Sequence, residues 1–123
     1  MVQPPAGHAR AVLVVDDDPT ILDVLSELLA DEGFTVRIAR DGSQALVRAL
    51  ELPPDLILTD LMMPFVDGRA LLARLREHPE TAHIPVVLMS AGGHQREGEG
   101  FSAFVTKPFN IDALVAELRR HLA

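Results

Sequence analysis

Short apolar runs without polar interruption constrain this chain more than any other feature. AVLVV (11–15), LILT (56–59), VVLM (86–89) and AFVT (103–106) are each too short for a helix and apolar at nearly every position. A strand with one wet face alternates apolar and polar residues. Runs without alternation are covered on both faces, as in a parallel sheet between two layers of helices. The intervening segments carry the matching helical period. Residues 19–33 place Ile21, Leu25, Leu28 and Leu29 on one face with Leu22 beside it, opened by Asp18-Pro19 as N-cap and first helical residue and stopped by Gly33. Residues 34–39 alternate Phe34, Val36 and Ile38, which predicts a half-buried edge strand. A short helix over 43–52 uses Ala45, Leu46, Ala49 and Leu50 and closes at Pro53-Pro54, and another over 68–78 turns Leu71, Leu72 and Leu75 inward. A last helix over 110–122 carries Ile111, Leu114, Val115, Leu118 and Leu122, with Asn110 as N-cap and Arg119 and Arg120 as a solvated end that complements the helix dipole.

Right-handed crossovers bring the C-terminal ends of parallel strands to one edge of the sheet, where such folds bind ligands. In this chain those ends are Asp16-Asp17, Asp60, Ser90 and Lys107. Carboxylates crowded together either rise in pKa or recruit a cation, and oxygen-only ligands favour Mg²⁺ or a similar hard ion such as Mn²⁺. The three carboxylate charges would balance one divalent ion and one ammonium. Asp60 is then the candidate nucleophile toward phosphorus, with Lys107 and the metal neutralising the phosphoryl oxygens and Ser90 donating a hydroxyl. Each residue alone has a plainer reading. An aspartate run is most often a solvated turn with one cap, a serine at a strand end a turn former, and a lysine a solvated charge. Their joint placement is what argues for a site. The histidines (His8, His78, His83, His94 and His121) show no ligand spacing.

Composition narrows the class. At 123 residues and 48% hydrophobic content the chain can bury one real core. Its net charge of −7 argues against direct nucleic-acid binding or an anionic membrane surface. There is no cysteine, so a disulfide or thiolate site is impossible. No apolar run approaches the ~20 residues of a membrane span, and the N-terminus lacks a secretory pattern, so a cytoplasmic setting is expected. Pro4, Pro5 and Gly7 read 1–10 as a flexible tail before a single domain over 11–123.

VLVVDDDP (12–19), LILTDLMMPFVDG (56–68), VVLMSA (86–91) and FVTKPF (104–109), in this order, resemble the receiver domain of two-component response regulators over roughly residues 11–122. The resemblance implies a flavodoxin-like three-layer α/β sandwich with a five-stranded parallel sheet in order 2-1-3-4-5. It implies that Asp60 is the phosphoacceptor, Asp16 and Asp17 the acidic metal-binding pair, and Met62 the donor of a backbone carbonyl to Mg²⁺ or Mn²⁺. Ser90 matches the switch hydroxyl, Lys107 the phosphate-binding lysine and Phe104 the aromatic switch, although an aromatic in a strand is more often simply core. By the same analogy Lys107-Pro108 is a cis bond. The implied partners are a histidine kinase or histidine phosphotransfer protein and an unidentified downstream protein. The chain would be a switch rather than an enzyme, with self-phosphorylation and autodephosphorylation at most. One departure stands out: AGGHQREGEGFS (91–102) is shorter than the matching family interval and rich in glycine, which predicts a shortened or irregular fourth helix or a loop. Because the chain ends with the last helix, a stand-alone receiver is expected. Two rivals are a degenerate receiver serving as an interaction scaffold and a magnesium-dependent phosphohydrolase. The second would want a general acid two residues after the nucleophile, where this chain has Met62.

Overall fold

The computed structural model describes residues 10–91 and 100–122. Its strands are β1 (Ala11–Val15), β2 (Thr35–Ala39), β3 (Leu56–Asp60), β4 (Val86–Ala91) and β5 (Ala103–Lys107), and its helices α1 (Pro19–Asp31), α2 (Gly42–Glu51), α3 (Gly68–Arg76) and α4 (Ile111–Leu122). All neighbouring strands are parallel, in the order β2-β1-β3-β4-β5. The expected fold class is the observed one. The interval predicted to hold a cut-down fourth helix falls mostly on 92–99, and the predicted tail over 1–10 mostly on 1–9, outside the described residues; Arg10, the last residue of that tail, is described, and its carbonyl accepts the Thr35 N–H at 2.9 Å beside β2.

The apolar runs divide their residues between two cores. On one face Val12, Val14, Leu56, Leu58, Val87 and Met89 pack with Leu22, Leu25 and Leu29 of α1 and Leu114, Val115 and Leu118 of α4. On the other, Leu13, Val15, Ile57 and Val86 pack with Ala45 and Ala49 of α2 and Leu71, Leu72 and Leu75 of α3. Burying one such leucine side chain contributes about 1.5–3 kcal/mol, so the central strands and both helix layers hold one another in place. The edge strand β2 departs from simple alternation at its end: Ile38 is exposed and Ala39 is buried, because Ala39 faces the second core.

Four short polar side chains start the helices. Asp18 accepts from the Thr20 N–H at 2.9 Å, Asp41 from Gln44 at 2.7 Å and Asp67 from Ala70 at 2.9 Å. Asn110 accepts from Asp112 at 2.8 Å and Ala113 at 3.1 Å. Gly33, at φ 97°, takes the left-handed turn that ends α1.

Arg119 is exposed in the last turn of α4, as expected, and does more besides. Its guanidinium lies 4.9 Å from the centre of the Phe34 ring and donates to the Glu32 carbonyl at 2.8 Å. It therefore ties the last turn of α4 to the C-terminus of α1. Arg119→Ala is expected to cost about 1–2 kcal/mol, from one cation–π contact and one carbonyl bond, measured by urea unfolding. Loss of less than about 0.3 kcal/mol would show that the clamp is idle.

Candidate functional site

The carboxyl ends of β1, β3 and β5 converge as parallel topology requires. Asp16 follows β1 and is 1% exposed, while Asp60 closes β3 and is 9% exposed. Lys107, the last residue of β5, reaches back across the edge, placing Nζ 3.0 Å from Asp16 Oδ2 and 3.3 Å from Asp60 Oδ1. The other oxygen of Asp16, Oδ1, accepts the Asp18 N–H at 2.9 Å, and the Asp16 N–H donates to the Ala39 carbonyl at 3.1 Å. Asp60 Oδ1 also accepts the Leu61 N–H at 3.0 Å. These bonds hold two buried carboxylates in fixed orientations on neighbouring strands. Asp17 is exposed, and one carboxylate oxygen each from Asp16, Asp17 and Asp60 lie within 4.8 Å of one another.

Burial pushes the Asp60 carboxyl above the ordinary aspartate range. Lys107 opposes this, Asp16 reinforces it, and the net direction remains upward. For Lys107, burial alone would lower the ammonium. The hydrogen bond and charge of Asp16, joined by those of Asp60, outweigh burial and raise it. The site thus carries more negative charge than its single ammonium offsets. Its donors are all oxygen and already gathered to the span of one small ion, so they fit a hard divalent cation.

The remaining predicted residues take clear places. Ser90 is half-buried in β4, aligned with Thr106 of β5 and one position beyond Met89, the partner of Asp60. Met62 has a side chain 73% exposed, so packing is not its role, whereas Met63 is buried in the second core. Phe104 is half-buried in β5 and meets Phe101 edge to face, with ring centres 5.8 Å apart. The Lys107-Pro108 bond is cis.

Two glycines frame the loop after Asp60. A Cβ on Gly68 would lie 2.8 Å from the Asp60 carbonyl oxygen, and the Gly68 N–H donates to the Leu61 carbonyl at 2.9 Å. A Cβ on Gly42 would come within 2.5 Å of both the carbonyl oxygen and Cγ1 of Val66. Sequence reasoning read neither as part of the site. The signal was a repeated Asp-Gly pair, Asp41-Gly42 and Asp67-Gly68, each a cap followed by a helix-starting residue that cannot carry a side chain.

The sequence matches the response regulator receiver domain over residues 12–119. The DNA-binding dual master transcriptional regulator RpaA of Synechocystis is 41% identical over 113 residues, covering 88% of this chain and 47% of that protein. The response regulator PleD of Caulobacter vibrioides is also 41% identical over 113 residues, 88% of this chain and 25% of its own length. This chain therefore spans about half or less of the curated relatives it matches. Among solved structures, the chemotaxis protein CheY4 of Vibrio cholerae superposes with a TM-score of 0.86 at 29% identity, covering 93% of this chain and 99% of that one. The receiver domain of a signal transduction histidine kinase from Syntrophus aciditrophicus gives 0.83 at 35% identity, covering 93% and 90%. With the strand order, the acidic edge and its bridging lysine already in place, the match settles the family: the chain belongs to the response regulator receiver domains.

Proposed function

We propose that the protein is a phosphorylation-dependent switch whose phosphoacceptor is Asp60. The observation that carries this reading is the buried Asp60 carboxylate held by Lys107 and the Leu61 N–H beside Asp16 and Asp17. A histidine kinase or histidine phosphotransfer protein would present a phosphohistidine at the sheet edge. The Asp60 carboxylate attacks phosphorus, the P–N bond breaks as the P–O bond forms, and the imidazole leaves with the bonding pair and takes a proton. The Leu61 and Lys107 contacts both fall on Oδ1, so the attack is assigned to Oδ2. Asp16, Asp17, Asp60 and the Met62 carbonyl would hold Mg²⁺ or Mn²⁺, which supplies charge neutralisation for the phosphoryl oxygens when bound. Lys107 offsets part of the added charge, and Ser90 turns toward the phosphoryl group. A charge-assisted bond of about 1.5–3 kcal/mol shifts a two-state equilibrium about 10- to 150-fold. Phe104 follows Ser90 inward, changing the surface offered to a downstream protein. A cytoplasmic setting suits a partner of this kind, and among the described residues no helix is long and apolar enough to cross a membrane.

Incubation with Mg²⁺ and acetyl phosphate is expected to give an acid-stable, hydroxylamine-labile phosphoryl adduct on Asp60, absent from Asp60→Asn and from chelator-treated protein. Mass mapping locates it. Absence of any adduct, or one that persists in Asp60→Asn, would overturn the reading.

A further inference from the structure

The loop joining β3 to α3 holds a side chain that folding alone does not account for. Phe65 is 94% exposed, and among the described residues it is the one non-glycine residue at positive φ, 68°. The Val66 N–H donates to the Pro64 carbonyl at 2.8 Å across it. A three-residue turn of this kind, with its centre at positive φ, is the rarer and strained form. A bulky residue persists there only when its surroundings impose the conformation.

Those surroundings are visible. Met63 and Val66, on either side of the turn, are both buried in the second core. Gly42 at the start of α2 packs directly against the Val66 carbonyl, leaving no space even for a methyl group. Gly68 closes the far end through its bond to Leu61. The loop is thus pinned at both shoulders while its tip pushes an aromatic ring into water. Exposed Met62 lies on the same short excursion, between the candidate phosphoacceptor and that ring.

We infer that Phe65 is an apolar anchor for the protein that delivers the phosphoryl group, and so a residue that selects the donor. This rests on the proposed role of Asp60. The occupant follows from position: residues 62–67 leave and rejoin the sheet edge beside Asp60, so a macromolecule that brings a phosphohistidine to that carboxylate covers this loop. A small phosphodonor does not. An aromatic whose backbone is already set has only two side-chain torsions to lose on binding and fills a pocket with large area. The matching donor surface has an apolar recess beside its phosphohistidine, with basic residues facing the acidic edge of this chain.

Phe65→Gly and Phe65→Asn test the inference, since both residues accept positive φ and leave the turn intact. Each is compared with wild type in two reactions. One uses acetyl phosphate with Mg²⁺. The other uses the member of a panel of autophosphorylated histidine kinases that transfers fastest to the wild type. Expected is a loss of at least tenfold in kcat/KM for the kinase, carried by KM, with acetyl phosphate rates within twofold and a melting temperature that does not fall. Equal kinase transfer would overturn the inference, as would a parallel loss with both donors, which marks a loop-geometry effect. A wild type that takes phosphate from acetyl phosphate and from no kinase would overturn it too. If acetyl phosphate leaves Asp60 unmodified, the proposed function itself has failed.

Discussion

Lys107→Ala is expected to lower the melting temperature in chelator by about 10 °C and acetyl phosphate labelling by about 100-fold or more. Asp16 is 1% exposed and its Oδ2 rests on Nζ at 3.0 Å, so removing the lysine leaves a buried carboxylate facing a second one. Breaking a buried pair from one side costs about 3–5 kcal/mol, and the partial exposure of Lys107 brings this nearer 2–3. At about 4 °C per kcal/mol, the value between those of 60–100-residue and 150–250-residue domains, the melting shift follows. The kinetic loss is of the order found when one fixed stabiliser of developing charge is removed. Millimolar Mg²⁺ should restore much of the stability and little of the labelling.

The pH dependence has a definite sign. Asp60 is raised by burial, and Lys107 is what pulls it back. A carboxyl whose folded pKa lies above its unfolded value contributes stability below the unfolded pKa and loses it as pH rises through the folded one. The metal-free variant, with Asp60 raised further, should therefore gain more stability than wild type on acidification from pH 7 to about pH 5. Lys107, itself raised, contributes stability that wild type loses as the pH climbs through its folded pKa, and the variant lacks that alkaline loss. Thermal melts at three pH values in chelator check both limbs. Identical melting of the two proteins at pH 7 would mean that the pair contributes nothing.

Gly42→Ala is the second large effect, a loss of about 2–3 kcal/mol by urea unfolding. Overpacking at a tight site costs 1–3 kcal/mol, and this methyl meets a main-chain carbonyl at 2.5 Å that cannot rotate away. The usual helix preference for alanine over glycine, about 1 kcal/mol, works in the opposite direction and is outweighed. Because Val66 carries the turn at Phe65, displacement should also disturb the loop. Ser43→Ala, one residue on and exposed, should stay within about 0.5 kcal/mol. Equal stability of Gly42→Ala and wild type would show that the loop yields without cost.

Much of the fold was legible because its signals are local. Apolar runs, the caps Asp18 and Asn110 and the stop Gly33 each act within a few residues, and parallel handedness did the rest. The meeting of Asp16, Asp60 and Lys107 could be anticipated because all parallel strands end at one edge. What escaped depends on side chains meeting across elements. Arg119 looked like a helix end because nothing nearby in sequence reveals that Phe34 and the Glu32 carbonyl lie beneath it. Phe65 could not be foreseen at positive φ, since its own preference opposes it and Met63, Val66 and Gly42 impose it. Phe101, three residues before Phe104, carried no signal that the two rings would meet.

The bridge from Lys107 to Asp16 joins residues 91 positions apart, from an edge strand across two inner strands to a third. Contacts of such long sequence separation form only after the intervening chain has paid its ordering entropy. A molecule with β5 undocked keeps its carboxylates and lacks their ammonium. On the proposed function, copies in which β5 has not docked would take the phosphoryl group poorly, so that labelling of Asp60 would also report that the last strand is in place.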